Sequence, residues 1–474
     1  MLSKASRTWC LVALFSAAGW AATDSVEPRL ADAIKDGDTA GIATLLKQHV
    51  DVNVAQADGT TALAWAARQD NLELAGQLIR AGANVKAANR YGVTPLYLAC
   101  LNGSAPMIEL LLKAGADANA AVTEGETALM TVARSGNVDA AKVLIAHGAD
   151  VNARQVVWHW ERQVTSEPRE KWLPLGGLTP LLFAARQGCV DCARVLVQAG
   201  ADINAADPNN ISPMVMALIN GHYDFAGFLL DKGADPNIAD ETGRTALYAA
   251  VDDHTMPASN RPSPQDYQNT LTSVDIINKL LEHGANVNAQ LVKMQPYRTK
   301  LDRGDDTMLT TGTTPLLRAA KAGDAEIVKL LLSKGADPKL ATRFGITPLM
   351  AAAGLGTHEE DTTGRKKTQE EAIASIQLCL GAGADINAAD RQGQTALHGA
   401  AQWGFDQVVQ YLADHGAKVD VKDSKGRTPL DAAMGLLGNG GFDHSRRDVH
   451  ESTAALLRKL MAVPEASAAP PPAQ

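Results

Sequence analysis

The stretch Thr179-Pro180-Leu181-Leu182-Phe183-Ala184-Ala185-Arg186-Gln187-Gly188 decides the fold. Thr is a favoured helix N-cap. Pro fits the first helical position, where its missing N–H has no partner to lose. Leu181, Ala184 and Ala185 follow at helical spacing, and Gly188 stops the helix. A second apolar run around Val195-Leu196-Val197 ends at Gly200-Ala201-Asp202. The stretch reads as two short helices separated at a glycine.

The same grammar recurs in both directions. Thr-[Pro/Ala]-Leu begins also at Thr61, Thr94, Thr127, Thr245, Thr314, Thr347, Thr395 and Thr428, and Ser212-Pro213-Met214 is a conservative further copy. Successive copies are 33, 33, 52, 33, 33, 69, 33, 48 and 33 residues apart. The three long spacings are one period plus insertions of 19, 36 and 15 residues. Glycines at Gly103, Gly136, Gly221, Gly323 and Gly404 end first helices, and Gly-Ala-[Asp/Asn] closes second helices at Gly82, Gly115, Gly148, Gly233, Gly284, Gly335 and Gly383. Asn119, Asn152, Asn204, Asn237, Asn288 and Asn387 then begin the exposed turn to the next unit. Residues 27–57 lack the Thr-Pro-Leu start but keep Leu30-Ala31 and Leu45-Leu46, as an atypical first cap does. Residues 426–461 form the last cap, with exposed Arg458-Lys459. The count is eleven units; residues 462–474, rich in Ala and Pro, are expected to be disordered.

This pattern resembles the ankyrin-repeat family over residues 27–461. The resemblance implies an all-α repeat: an ankyrin-repeat solenoid of about eleven helix-turn-helix units, with β-turn or hairpin tips and several long insertions. Only His398 keeps the family's histidine after Thr-Pro-Leu; Ala64, Tyr97, Met130, Leu182, Val215, Tyr248, Leu317, Met350 and Asp431 replace it. Each replacement implies the loss of one inter-repeat polar contact. The scaffold binds unrelated targets, so the resemblance leaves the target open.

Members of the family bind partners with turn tips and the exposed face of the first helix, which line a concave groove. Carried onto this sequence, that gives Arg90, Tyr91, Arg343 and Phe344 at turn tips, and Leu101, Arg134, Arg186 and Trp403 at first-helix ends, as candidate partner-binding residues. Arg68, Ile219 and Lys321 occupy the same helix-end position. Exposed aromatics are costly unless covered, and aromatic and Arg anchors dominate interfaces. The competing reading of each is local packing against a neighbouring turn.

The 19-residue insertion, between Asn152 and Thr179, carries Trp158, Trp160 and Trp172. Val156, Trp158 and Trp160 alternate with other residues, the pattern of a β-hairpin arm. Such an arm either walls the groove and supplies aromatic anchors or packs back as a flap. The 36 extra residues divide between 252–271 and 291–311; the 15 fall near 358–369, and a Gly-rich stretch occupies 438–447. Turn-tip and inter-helix insertions leave opposite ends of a unit, so two decorated rims are expected.

Lys+Arg number 44 against 53 Asp+Glu, a net charge of −9. An acidic chain exerts no long-range pull on phosphate, which argues against nucleic acid and anionic membrane as partners. Lys4 and Arg7, an apolar run over 9–20 and Gly19-Trp20-Ala21 read as a cleaved signal peptide, residues 1–21. No later segment is apolar enough to span a bilayer, so a monomeric periplasmic or secreted protein without stable membrane insertion is expected. Asp252-Asp253-His254, His358-Glu359-Glu360-Asp361 and Asp443-His444 fall about two units apart, too far for one metal site. No catalytic motif, and hence no catalytic residue, metal or cofactor, is expected. Cys189 and Cys192 form Cys-x-x-Cys at a helix start, a possible disulfide; alternatively Cys192 is a small core residue and Cys189 incidental.

The favoured expectation is an exported bacterial ankyrin-repeat protein without catalysis of its own, binding another protein. The alternative is a binder of an extended ligand, such as cell-wall glycan or peptide, with the tryptophans as stacking platforms. A thiol-redox protein or loop-built enzyme is third.

Overall fold

Each threonine of the recurring motif stands at the N-cap of a helix in the computed structural model. The Thr94 hydroxyl accepts from the Tyr97 N–H (3.1 Å), and that of Thr314 from the Leu317 N–H (3.1 Å). Gly188 ends its helix at φ 73°, left-handed backbone that a side chain would strain. The structure describes residues 29–161, 172–256, 269–293, 310–357, 367–437 and 449–462. The expected leader, most of the insertions in 252–271, 291–311 and 358–369, the stretch 438–447 and the tail beyond residue 462 lie outside the described residues.

Twenty-two helices form eleven consecutive pairs among the described residues. Unit 1 pairs Arg29–Asp36 with Thr39–Lys47; units 2 to 11 open at Thr61, Thr94, Thr127, Thr179, Ser212, Thr245, Thr314, Thr347, Thr395 and Thr428. First helices stack on first helices and second on second. The motif leucines Leu63, Leu96, Leu129, Leu181, Leu247, Leu316, Leu349 and Leu397 are all buried between them. One continuous core results, in which every unit leans on its neighbours.

Two sets of side chains lock the stack. The first is the asparagine after Gly-Ala-Asp, which reaches the next unit instead of only opening a turn. Asn119 Nδ2 donates to the Gly148 carbonyl (3.0 Å), while its Oδ1 accepts from the Asp150 N–H (2.7 Å). Asn152, Asn237, Asn288 and Asn387 repeat both bonds. Lys86 and Lys339 hold the equivalent position in units 2 and 8. Loss of both bonds in Asn288→Ala is expected to cost about 1–2 kcal/mol by urea melting. Lys339→Asn is expected to gain a part of that, and an unchanged midpoint in Asn288→Ala would deny the asparagine this role.

The second set caps carbonyls at the ends of first helices. His222 Nε2 meets the Arg186 carbonyl (3.1 Å), His450 Nε2 the Gln402 carbonyl (3.0 Å), and Asn137 Nδ2 the Gly103 carbonyl (2.7 Å). His398 is wholly buried: its Nδ1 accepts from the Thr395 N–H (3.1 Å), and its Nε2 lies 3.3 Å from the Arg427 carbonyl of the next unit. Not every replacement of this histidine is a loss. The thioethers of Met130 and Met350 accept from Thr127 and Thr347 N–H, and the Asp431 carboxylate from Thr428 N–H (2.7 Å). Three residue types thus supply the acceptor within the unit; only the reach to the next unit belongs to His398.

Burial pushes both His222 and His398 below the ordinary imidazole range, against smaller opposing effects of their carbonyl partners and of Asp253 near His222 and Asp423 near His398. The folded state therefore binds these protons less readily than the unfolded chain, whose histidines titrate at about 6.5. Their contribution is fully present above that value and is lost as pH falls below it. The thermal midpoint should drop between about pH 7.5 and about pH 5.5, and the double variant His222→Gln, His398→Gln should flatten that dependence. An equal drop in the variant would assign the effect to other groups.

Candidate protein-docking site

Turn tips are joined by backbone hydrogen bonds into a rim. Arg90 N–H donates to Asp58 O (2.9 Å), Thr123 to Tyr91 O (3.2 Å) and Val156 to Glu124 O (3.2 Å). The same link recurs from Glu241, Arg343, Arg391 and Ser424 onto the tips before them. Pro208 occupies this donor position in unit 6 and has no N–H to give. The rim ladder is interrupted there, and the hairpin rises beside the interruption. Strand β1 (Trp158–Glu161) pairs antiparallel with β2 (Trp172–Leu175). Arg154 ties the root across the gap, donating to the Ala206 (2.7 Å) and Gly177 (3.2 Å) carbonyls.

The root is apolar and open to solvent. Val156 is 57% exposed, Trp158 and Tyr91 53% each, and Val157 and Leu175 are exposed as well. The bonds from Val156 to Glu124 and from Thr123 to Tyr91 place these residues on three successive tips, units 3 to 5. Exposed apolar residues gathered in this way mark interaction surfaces more than scattered ones do. Val157 and Leu175 were not among the expected contacts; alternation in 156–160 was the available signal for the strand, and the strand partner had none.

The other candidates separate into two groups. Leu101, Arg134 and Arg186 are exposed at first-helix ends of units 3 to 5, on the same part of the array. Arg134 is held by Glu126 (2.8 Å), and the Arg90 guanidinium lies 4.8 Å from the Tyr91 ring centre. Arg343 and Phe344 stand at the unit 9 tip, far along the array, with the guanidinium 4.6 Å from a half-buried ring that packs on the core. Trp403 takes the competing reading, local packing. It is half-buried, its Nε1 donates to the Gly354 carbonyl (2.9 Å), and its ring lies tilted against Phe405. Gly354 makes room for it: a Cβ there would meet the indole at 2.8 Å. Register also separates the arm's tryptophans, since Trp160 stands opposite Leu173 and Trp172 opposite Glu161. The side chains of Trp160 and Trp172 lie outside the described residues.

The ionisable triplet of unit 7 is engaged in packing. Asp252 meets Arg318 (2.8 Å), both buried; Asp253 accepts from the Tyr223 hydroxyl (2.6 Å); His254 lies between Ser273 (2.7 Å) and Asp324 (2.8 Å). Among the described residues no cluster of three or more His, Cys, Asp or Glu is arranged to hold a metal ion. His358-Glu359-Glu360-Asp361 and Asp443-His444 lie outside the described residues. Cys189 and Cys192 are joined by a disulfide, with Cys189 at the N-cap of the helix Val190–Gln198. Cys100 and Cys379 are buried free thiols, and burial pushes that of Cys379 up to about 12.

The family model for ankyrin repeats (3 copies) matches residues 30–122, 77–155, 120–207, 159–240, 273–360 and 368–440, most of the chain. The chain is an ankyrin-repeat protein. Ankyrin repeats mediate protein–protein interaction, and members of the family are typically non-catalytic scaffolds. The array is similar to part of the neurogenic locus notch homolog protein 1 of Xenopus tropicalis, 41% identical over 100 residues, which is 21% of this chain and 4% of that protein. It is also similar to the ankyrin repeat and SOCS box protein 16 of Mus musculus, 38% identical over 121 residues, 26% of this chain and 25% of that protein. The ankyrin array thus matches a quarter or less of the length of these curated relatives. No helix among the described residues is long and apolar enough to cross a membrane.

Proposed function

We propose that this ankyrin array is an exported, non-catalytic scaffold of the bacterial cell envelope that docks a partner protein at units 3 to 5. The observation that carries the reading is the apolar strip of Tyr91, Val156, Val157, Trp158 and Leu175 at the hairpin root. Burying it against a partner would remove from water the side chains that a folded monomer has least reason to expose. The first-helix ends of the same units expose Leu101, Arg134 and Arg186 as further contacts. Rim bonds and asparagine clamps hold the surface in shape before binding, so little chain entropy is lost on docking. Export rests on Lys4, Arg7 and the apolar run over 9–20. The disulfide between Cys189 and Cys192 suits an oxidising compartment.

The test is capture from a detergent-solubilised envelope extract, using the intact chain beside a variant with residues 155–175 replaced by a short Gly/Ser turn. The reading expects a protein held by the intact chain and lost from the variant, with the captured protein then purified and rebound. Equal capture by both would make the hairpin a flap. A chain that retains only purified cell-wall glycan would replace protein docking with glycan binding.

A further inference from the structure

The last turns of the first helices form a column along the array, one residue per unit. In units 1 to 5 it reads Lys35, Arg68, Leu101, Arg134 and Arg186, every one exposed. Beyond unit 5 the exposed basic run stops: the column continues with Ile219, then with Asp252 and Lys321, both buried. A basic residue at a helix C-terminus is favoured by the helix dipole wherever it occurs. The dipole is present in every unit, so it does not account for a run confined to one end of a chain whose net charge is −9.

The local packing keeps these charges accessible. Lys35 Nζ and the Arg68 guanidinium lie 5.7 and 6.0 Å from the Trp65 ring centre, so one indole carries cations from two units. Glu126 steers Arg134 without covering it, leaving the arginine side chain 43% exposed. Asp36 and Asp70 are the exposed acids nearest in sequence, just beyond Lys35 and Arg68. Leu101, 45% exposed, interrupts the charges with an apolar side chain. Units stack at roughly 10 Å, close to the screening length of about 8 Å in physiological salt, so neighbouring charges act together on a bound chain.

We infer that this column takes an extended, acidic segment of the partner, with Asp or Glu side chains opposite Lys35, Arg68, Arg134 and Arg186 and an apolar side chain over Leu101. The inference rests on the docking proposed above and adds the chemistry of the partner. Charge complementarity at an accessible surface governs partner choice and salt dependence more than raw affinity.

Four unit steps span about 40 Å, which an extended peptide of about 12 residues covers. The probes are two fluorescein-labelled peptides of that length, one alternating Glu and Leu, the other Lys and Leu. Fluorescence anisotropy with the full chain should show binding of the Glu/Leu peptide, weakening as salt rises. The Lys/Leu peptide should bind far less. The variant Arg68→Gln, Arg134→Gln, Arg186→Gln should bind the acidic peptide about tenfold more weakly while keeping its thermal midpoint. Lys418→Gln with Lys459→Gln, at the far end, should bind as the unaltered chain does. Equal binding of both peptides, undiminished binding by the triple variant, or no binding of the acidic peptide would overturn the inference. Envelope capture that still depends on the hairpin while the acidic peptide is ignored would leave docking standing and remove its acidic character. Peptide binding without any hairpin-dependent capture would do the reverse.

Discussion

Asp252→Ala is expected to destabilise the middle of the array more than any surface change. Arg318 has no exposed surface, and its Nε donates to Asp252 Oδ1 at 2.8 Å. Removing the carboxylate takes an ion-pair partner from a guanidinium held in the core. Breaking a buried pair in this way costs about 3–5 kcal/mol, far more than the pair contributes relative to an apolar replacement. The double variant Asp252→Leu, Arg318→Met removes both charges and should recover most of the loss. Because stability in a stacked array passes between neighbours, units 7 and 8 should melt before the remainder in Asp252→Ala. Hydrogen exchange during urea unfolding reads this directly. An unchanged midpoint, or a double variant no better than the single one, would show that the pair is not what holds this junction.

Gly176→Ala is expected to release the hairpin root from the rim. Gly176 lies at φ 83°, and a methyl there would overlap the Val156 carbonyl oxygen. Left-handed backbone costs an ordinary residue about 1–2 kcal/mol, and forcing the carbonyl aside adds about 1–3 kcal/mol. The hairpin can relieve most of that by letting go of its neighbours, so the global midpoint should move little. The local readout is amide exchange at Val156 and Gln155, whose N–H groups bond Glu124 and Leu178. Both should exchange faster, and capture of the partner should fall with them. Unaltered exchange would mean that the root tolerates the methyl and that the glycine is not needed for its path.

Much of this was legible in the sequence because the repeat itself is physical. A threonine that caps, a leucine that packs and a glycine that stops must recur wherever units stack, so the 33-residue period located the helices. Alternation in 156–160 pointed to the hairpin because successive strand residues take opposite faces. Side-chain partners were harder, since they come from the next unit. The recurrent asparagine was visible, but its clamp on Gly148 and Asp150 by Asn119 requires the stack before the two meet. Trp403 looked exposed by position and is held against unit 9 instead. The signal was Gly354, where the helix-end column loses its side chain and leaves room for an indole. The apolar strip at units 3 to 5 needed the rim bonds that bring three separate turns together.

The most direct measurement is a hydrogen-exchange footprint of the purified complex between this chain and the protein it captures. The account predicts new protection at Tyr91 and over 155–158, and at the first-helix ends around Arg68, Leu101, Arg134 and Arg186, with units 9 to 11 unchanged. Protection confined to units 9 to 11 or to the second helices, with the hairpin root as exposed as in the free chain, would contradict it.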